Sequence, residues 1–113
     1  MKGLFYFEIG DFNMSKFFIV ESFELHEGQL ENWKSLSQEI DEDLSRSAEG
    51  FISRESGIDA DGRVYCLVKW ESKAHSEAFM NRLMAMDEWE EMLKQFSSIL
   101  NMETEQRQEV ELF

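Results

Sequence analysis

Proline is absent from this 113-residue chain, cysteine occurs once and histidine twice. The lone Cys66 cannot close an internal disulfide and joins no CxxC pair or Cys/His spacing, which excludes a disulfide scaffold and a zinc site. Cations are scarce too: 11 Lys and Arg stand against 24 Asp and Glu, a formal charge of -13. Such a surface repels phosphate backbones and anionic lipid alike, so neither nucleic acid nor membrane is an expected partner. No apolar run approaches the roughly 20 residues that span a bilayer, and the N-terminus lacks the basic, apolar and small-residue sequence of an export signal. The expected compartment is the cytoplasm. Phosphate-binding loops and nucleophile elbows are missing as well. The acids Glu39, Asp41, Glu42 and Asp43 spread along one stretch instead of converging, so no metal is expected.

What is present is apolar mass. Ten Phe and three Trp, within a hydrophobic fraction of 42%, are too many for a disordered chain and enough for a single core. Met14-Ser15-Lys16 reads like a translation start, so residues 1–13 are an N-terminal extension and 14–113 the domain. The extension carries Leu4, Phe5, Tyr6, Phe7 and Ile9, and is expected to dock, on a partner subunit for instance.

Phe17 to Leu25 is β-branched and aromatic and reads as a strand. From Glu27 the period changes: Leu30, Trp33, Leu36, Ile40 and Leu44 recur every three to four residues, the stripe of an amphipathic helix. Gly50 ends that region, and Phe51 to Ile58 alternates as a second strand. Asp59-Ala60-Asp61-Gly62 supplies a tight reversal into a third strand, Arg63 to Glu71. Ser72 caps a helix starting near Lys73, with Ala74, Ala78, Phe79 and Leu83 as its stripe. Asp87 and Glu90 resemble a capping box, so the helix breaks near Ala85 or Met86 and restarts to carry Trp89, Met92, Leu93, Phe96, Ile99 and Leu100. Glu103 to Leu112 closes the chain as an edge strand.

The order is β-α-β-β-α-β, the ferredoxin-like arrangement: an α+β fold with an antiparallel sheet and both helices on one face. Strands one and three carry apolar residues on both faces, Phe17, Ile19 and Phe23 against Phe18 and Val20, then Val64, Cys66 and Val68 against Tyr65 and Leu67. Helices cover one face only. The other is expected to meet a second copy, making a homodimer built as a dimeric α/β barrel.

Few residues can carry chemistry. His75 follows Trp70 and Ser72 closely enough to face a pocket mouth and could act as a base near neutral pH; its ordinary alternative is a capping role, as for His26. Trp70 and Trp33 can stack on a flat ligand or simply pack. Arg54 can meet a ligand oxyanion or pair across the sheet with Glu21 or Glu24, and the ion pair is the favoured reading. Tyr65 can donate to a bound carbonyl. Cys66, in an apolar strand, reads as an inert buried residue. Methionines 80, 84, 86 and 92 make the second helical region pliable.

Val68-Lys69-Trp70-Glu71-Ser72-Lys73-Ala74, followed by a helix with Phe79, resembles the antibiotic biosynthesis monooxygenase family of dimeric α+β barrels, in element order and spacing over about residues 16 to 112. The resemblance implies a ligand between sheet and helices and a cofactor-independent monooxygenase acting on a small aromatic or quinol, with no metal or flavin. It also implies departures. Many members carry a histidine near the place of Phe79, and haem-degrading relatives carry an asparagine near that of Ser22. Phe79 and Ser22 are therefore expected to line the site without moving protons. The alternative from another class is a non-catalytic dimer that holds a small apolar ligand.

Overall fold

The computed structural model describes residues 15–113. The expectation of a docked N-terminal extension falls outside them. The chain runs β1 (Phe17–Leu25), α1 (Leu30–Ser47), β2 (Phe51–Ile58), β3 (Val64–Trp70), α2 (Lys73–Met84), α3 (Trp89–Ile99) and β4 (Leu100–Glu111). The four strands are antiparallel in the order β2-β3-β1-β4. This is the expected ferredoxin-like fold, its second crossover made by two helices instead of one. Among the described residues no helix is long and apolar enough to cross a membrane.

Local chemistry explains the boundaries. Gly62 sits at φ +90°, a value that L side chains rarely adopt, and Asp59 Oδ1 accepts the amides of Asp61 and Arg63 to close the β2–β3 hairpin. Ser72 caps α2 as expected, its Oγ accepting the His75 amide at 3.2 Å. The helix breaks where expected, with Ala85 ending α2, but the capping box is not formed. Glu88 precedes α3 without a side-chain cap. The last strand begins three residues earlier than its polar sequence suggests. Leu100 leaves the helix to pair with Leu25, and a register shift between Ser22 and Glu24 lets the long β4 follow β1.

Alternation along β1 and β3 sets the two faces. Phe17, Ile19, Val64, Cys66 and Trp70 are buried under the helices, where Trp33, Leu36 and Leu44 of α1 meet them. Phe18, Val20 and Leu67 lie on the opposite face and are only half-buried.

Candidate functional site

Between the sheet and the three helices lies a cavity of about 380 Å³, within the range of small-molecule sites. All three tryptophans of the chain, Trp33, Trp70 and Trp89, line it. Phe79 and Phe96 add to the wall. Trp70 is held in place by an edge contact with Phe51, centroids 5.8 Å apart, and a tilted contact with Phe79 at 5.6 Å.

Sheet register gives the cavity a polar floor. Ser56 faces Cys66, Cys66 faces Glu21, and Glu21 faces Arg107, one residue from each strand in a row across the sheet. Arg107 Nη1 donates to Glu21 at 2.7 Å, and Arg107 also holds Glu109 at 3.1 Å. Burial first, and then a side-chain hydrogen bond with Glu105, push the Glu21 carboxyl from 4.5 up to about 7, against the opposing pull of Arg107 and Arg54. Glu21 is thus a carboxyl that exchanges its proton near neutrality inside an aromatic cavity.

Arg54 departs from its expected partners. It pairs with neither Glu21 nor Glu24, because α1 lies over its strand and offers Asp41 Oδ1 at 2.7 Å and Ser37 Oγ at 2.7 Å. Its Nη2 reaches Cys66 Sγ at 3.0 Å, and its guanidinium lies 5.9 Å from the centre of the Trp33 ring. Burial pushes the Cys66 thiol up, as expected of an inert cysteine.

The structure brings Trp70, Trp33, Phe79 and Arg54 together on the cavity wall. It places the other three sequence candidates elsewhere. His75 lies in the first turn of α2, its Nδ1 2.8 Å from Ser72 Oγ and its ring against Gly50, outside the cavity lining. Ser22 is buried on the opposite sheet face beneath Arg63, whose Nε donates to its Oγ at 2.9 Å. Tyr65 is exposed and donates to Asp59 Oδ2 at 3.0 Å, which locks the hairpin instead of meeting a ligand. His26, exposed at the strand-to-helix junction, is within 2.9 Å of the Ser97 carbonyl oxygen through its Nε2. The residues that sequence reasoning passed over are Glu105, Arg107 and, as a site residue, Glu21. No group of three His, Cys, Asp or Glu among the described residues could hold a metal ion.

No protein-family model matches the chain, and no curated protein matches it. Solved structures do. Protein SO0527 from Shewanella oneidensis superposes with a TM-score of 0.68 at 20% identity, over 88% of this chain and 93% of its own. SnoaB, a cofactor-independent oxygenase from Streptomyces nogalater, gives 0.66 at 13% identity, over 88% of this chain and 94% of its own. A putative antibiotic biosynthesis monooxygenase from Chloroflexus aurantiacus gives 0.65 at 11% identity, again over 88% and 94%. The shared property is the fold, an α+β arrangement of a four-stranded antiparallel sheet and helices.

Proposed function

We propose that this protein is a cofactor-independent oxygenase of the cytoplasm that oxidises a small electron-rich aromatic, a quinol or anthrone-type phenol. The observation that carries the reading is Glu21: a carboxyl raised to about 7 on the floor of an aromatic cavity. A base titrating near the working pH removes an acidic proton most effectively. The fold shared with a cofactor-independent oxygenase supports the same reading.

For an anthrone-type substrate, whose ring CH₂ is the carbon acid, the chemistry balances with dioxygen as the only co-reactant; a quinol, which has no such CH₂, would instead give a quinone and hydrogen peroxide. Glu21 takes a proton from the activated carbon acid, and the resulting carbanion forms a C–O bond to dioxygen, reducing it to a hydroperoxide once protonated. Loss of water from that carbon then leaves a carbonyl, so a CH₂ and O₂ become C=O and H₂O. Trp33, Trp70 and Phe79 hold the rings flat against the apolar wall. Oxygen uptake with a panel of quinols and anthrone-type phenols tests this. Turnover above buffer that disappears in Glu21→Gln and persists in His75→Ala is the expected result; no uptake with any substrate sinks the reading.

The apolar helix wall, with Phe79 against Trp70, favours one rival: a binding protein without turnover. Ligand-dependent quenching of tryptophan fluorescence with no oxygen uptake identifies it. In either case we propose a homodimer in which the second copy covers Phe18, Val20 and Leu67. Light scattering then gives twice the 13.4 kDa of one chain; a monomer at micromolar concentration refutes the pairing.

A further inference from the structure

A second cleft, of about 220 Å³, lies beside the aromatic cavity, between α2 and the edge strand β4. Ser76, Met80 and Arg107 line both, so the two spaces meet there. Apart from Asp43, the exposed residues of the aromatic cavity wall are Leu93 on α3 and Met102, Glu105 and Arg107 on β4. The cavity therefore opens along β4.

The polar contacts that hold α2 are distributed unevenly. On one face His75 packs its ring against Gly50, and about two turns on Arg82 Nη2 donates to the Ser47 carbonyl at 3.1 Å. Both contacts are to the junction of α1 and β2. Towards β4, the one polar contact of α2 among the described residues is an ion pair, Lys73 Nζ 3.8 Å from Glu109 Oε1. Glu109 is held in turn by Arg107 at 3.1 Å, and Arg107 by Glu21 at 2.7 Å, so the anionic half of the pair is fixed to the sheet. A helix anchored along one edge and latched at a single point along the other is free to turn about its anchored edge.

Lys73 also stands where a helix disfavours a lysine. It is the first residue of α2, whose first turn holds no acid, and a cation at a helix N-terminus opposes the macrodipole. The gain from its charge lies with Glu109 instead. At 49% and 40% exposed, the two side chains form a pair that is weak and readily screened by salt. Such a contact opens without unfolding the rest of the sheet.

We propose that α2 is a flap hinged on the α1–β2 junction, that small molecules reach the aromatic cavity through the cleft between α2 and β4, and that the Lys73–Glu109 ion pair is the clasp that holds the flap shut. This rests on the reading of that cavity as a ligand site and is independent of the oxygenase chemistry.

Cys66 supplies a native reporter. It lines the aromatic cavity, is 8% exposed and is the only thiol of the chain, so N-ethylmaleimide, small and neutral, reacts with it only by entering. The labelling rate then follows the open fraction. Lys73→Met is expected to raise that rate about twofold to fivefold, the population shift that loss of one exposed ion pair produces. Lys73→Glu raises it further by repulsion from Glu109, and Lys73→Arg keeps the wild-type rate. Salt accelerates labelling of the wild type and leaves Lys73→Met unchanged. Neither Lys73→Met nor Lys73→Glu lowers the melting temperature, because both relieve the macrodipole; a lysine that merely stabilised the fold would show melting fall as labelling rose.

An unchanged rate in both Lys73→Met and Lys73→Glu overturns the inference and puts the entrance past Leu93 and Met102. Acceleration by sub-denaturing urea in step with the unfolded population overturns it as well, as does a wild-type thiol that stays unlabelled until the protein unfolds. Labelling that follows the Lys73 series, with no oxygen uptake from quinols or anthrone-type phenols, leaves the entrance standing and removes the oxygenase. Uptake with labelling indifferent to Lys73 does the reverse.

Discussion

Replacing Glu21 by Gln removes one titrating group from the cavity floor, and its consequence is a changed dependence of stability on pH. The carboxyl is raised from 4.5 to about 7, chiefly by burial. A group whose folded pKa lies above its unfolded value binds its proton more tightly in the fold. Its contribution is therefore fully present below pH 4.5 and is lost as the pH rises towards 7 and beyond. A shift of that size corresponds to about 3 kcal/mol at full value. The side chain keeps 29% of its exposure, and the water this admits trims the expectation to about 2 kcal/mol. Denaturant unfolding of both proteins at a series of pH values measures it. Subtracting the stability of the variant from that of the wild type cancels the groups they titrate in common, and Gln adds only a constant. The difference is expected to decline by about 2 kcal/mol, mostly between pH 4.5 and 7. A flat difference refutes burial as the dominant cause. A rising one means that Arg107 governs the carboxyl and holds it low.

Two further substitutions probe how the surrounding elements are held. Gly50 has φ +80°, and a Cβ added there lies 2.3 Å from His75 Cγ. Gly50→Ala is expected to destabilise by about 2 kcal/mol or more, and His75→Ala in the same chain to recover only part of it, since the strained backbone remains. Full recovery in thermal melts of the double variant would show the ring contact to be the whole cost. Arg63 ties three strands, donating to the Ser22 carbonyl at 3.2 Å and to that of Thr104 beside the β1–β4 irregularity. Arg63→Met is expected to speed amide exchange along β4 while β2 stays protected; uniform exchange across the sheet contradicts that local role.

Element type and order were legible because they follow from period. Leu30, Trp33, Leu36, Ile40 and Leu44 allow only a helix, and Asp59 to Gly62 allows only a sharp turn. Aromatic candidates were legible for the same reason: Trp33, Trp70 and Phe79 occupy core-spaced positions and point where a sheet-helix cavity forms. Arg54 was recognised as a residue that must find a partner, but its partner was not, since Asp41 becomes its neighbour only when α1 crosses the strand. His75 illustrates the opposite case. Its distance in sequence from Trp70 suggested a pocket mouth, yet the cap it makes with Ser72 turns the ring towards Gly50.

Glu21 was partly legible and passed over. In the strand Phe17 to Leu25 the buried parity is that of Phe17, Ile19 and Phe23, and the one charged residue of the same parity between them is Glu21. A carboxyl on a core-facing position costs free energy unless it gains a partner or keeps its proton, and Glu21 does both, with Arg107 and Glu105. What parity could not supply was register. Only once Ser22 is paired with Gln106 does Arg107 arrive opposite Glu21, and a shift of one residue along β4 would turn that arginine to the other face. The polar β4, which as a sequence looked like a strand with nothing to bury, is therefore the element that completes the floor. Its charges are placed on the cavity side by the same alternation that leaves Val110 opposite Phe18 on the face where a second copy is proposed to dock.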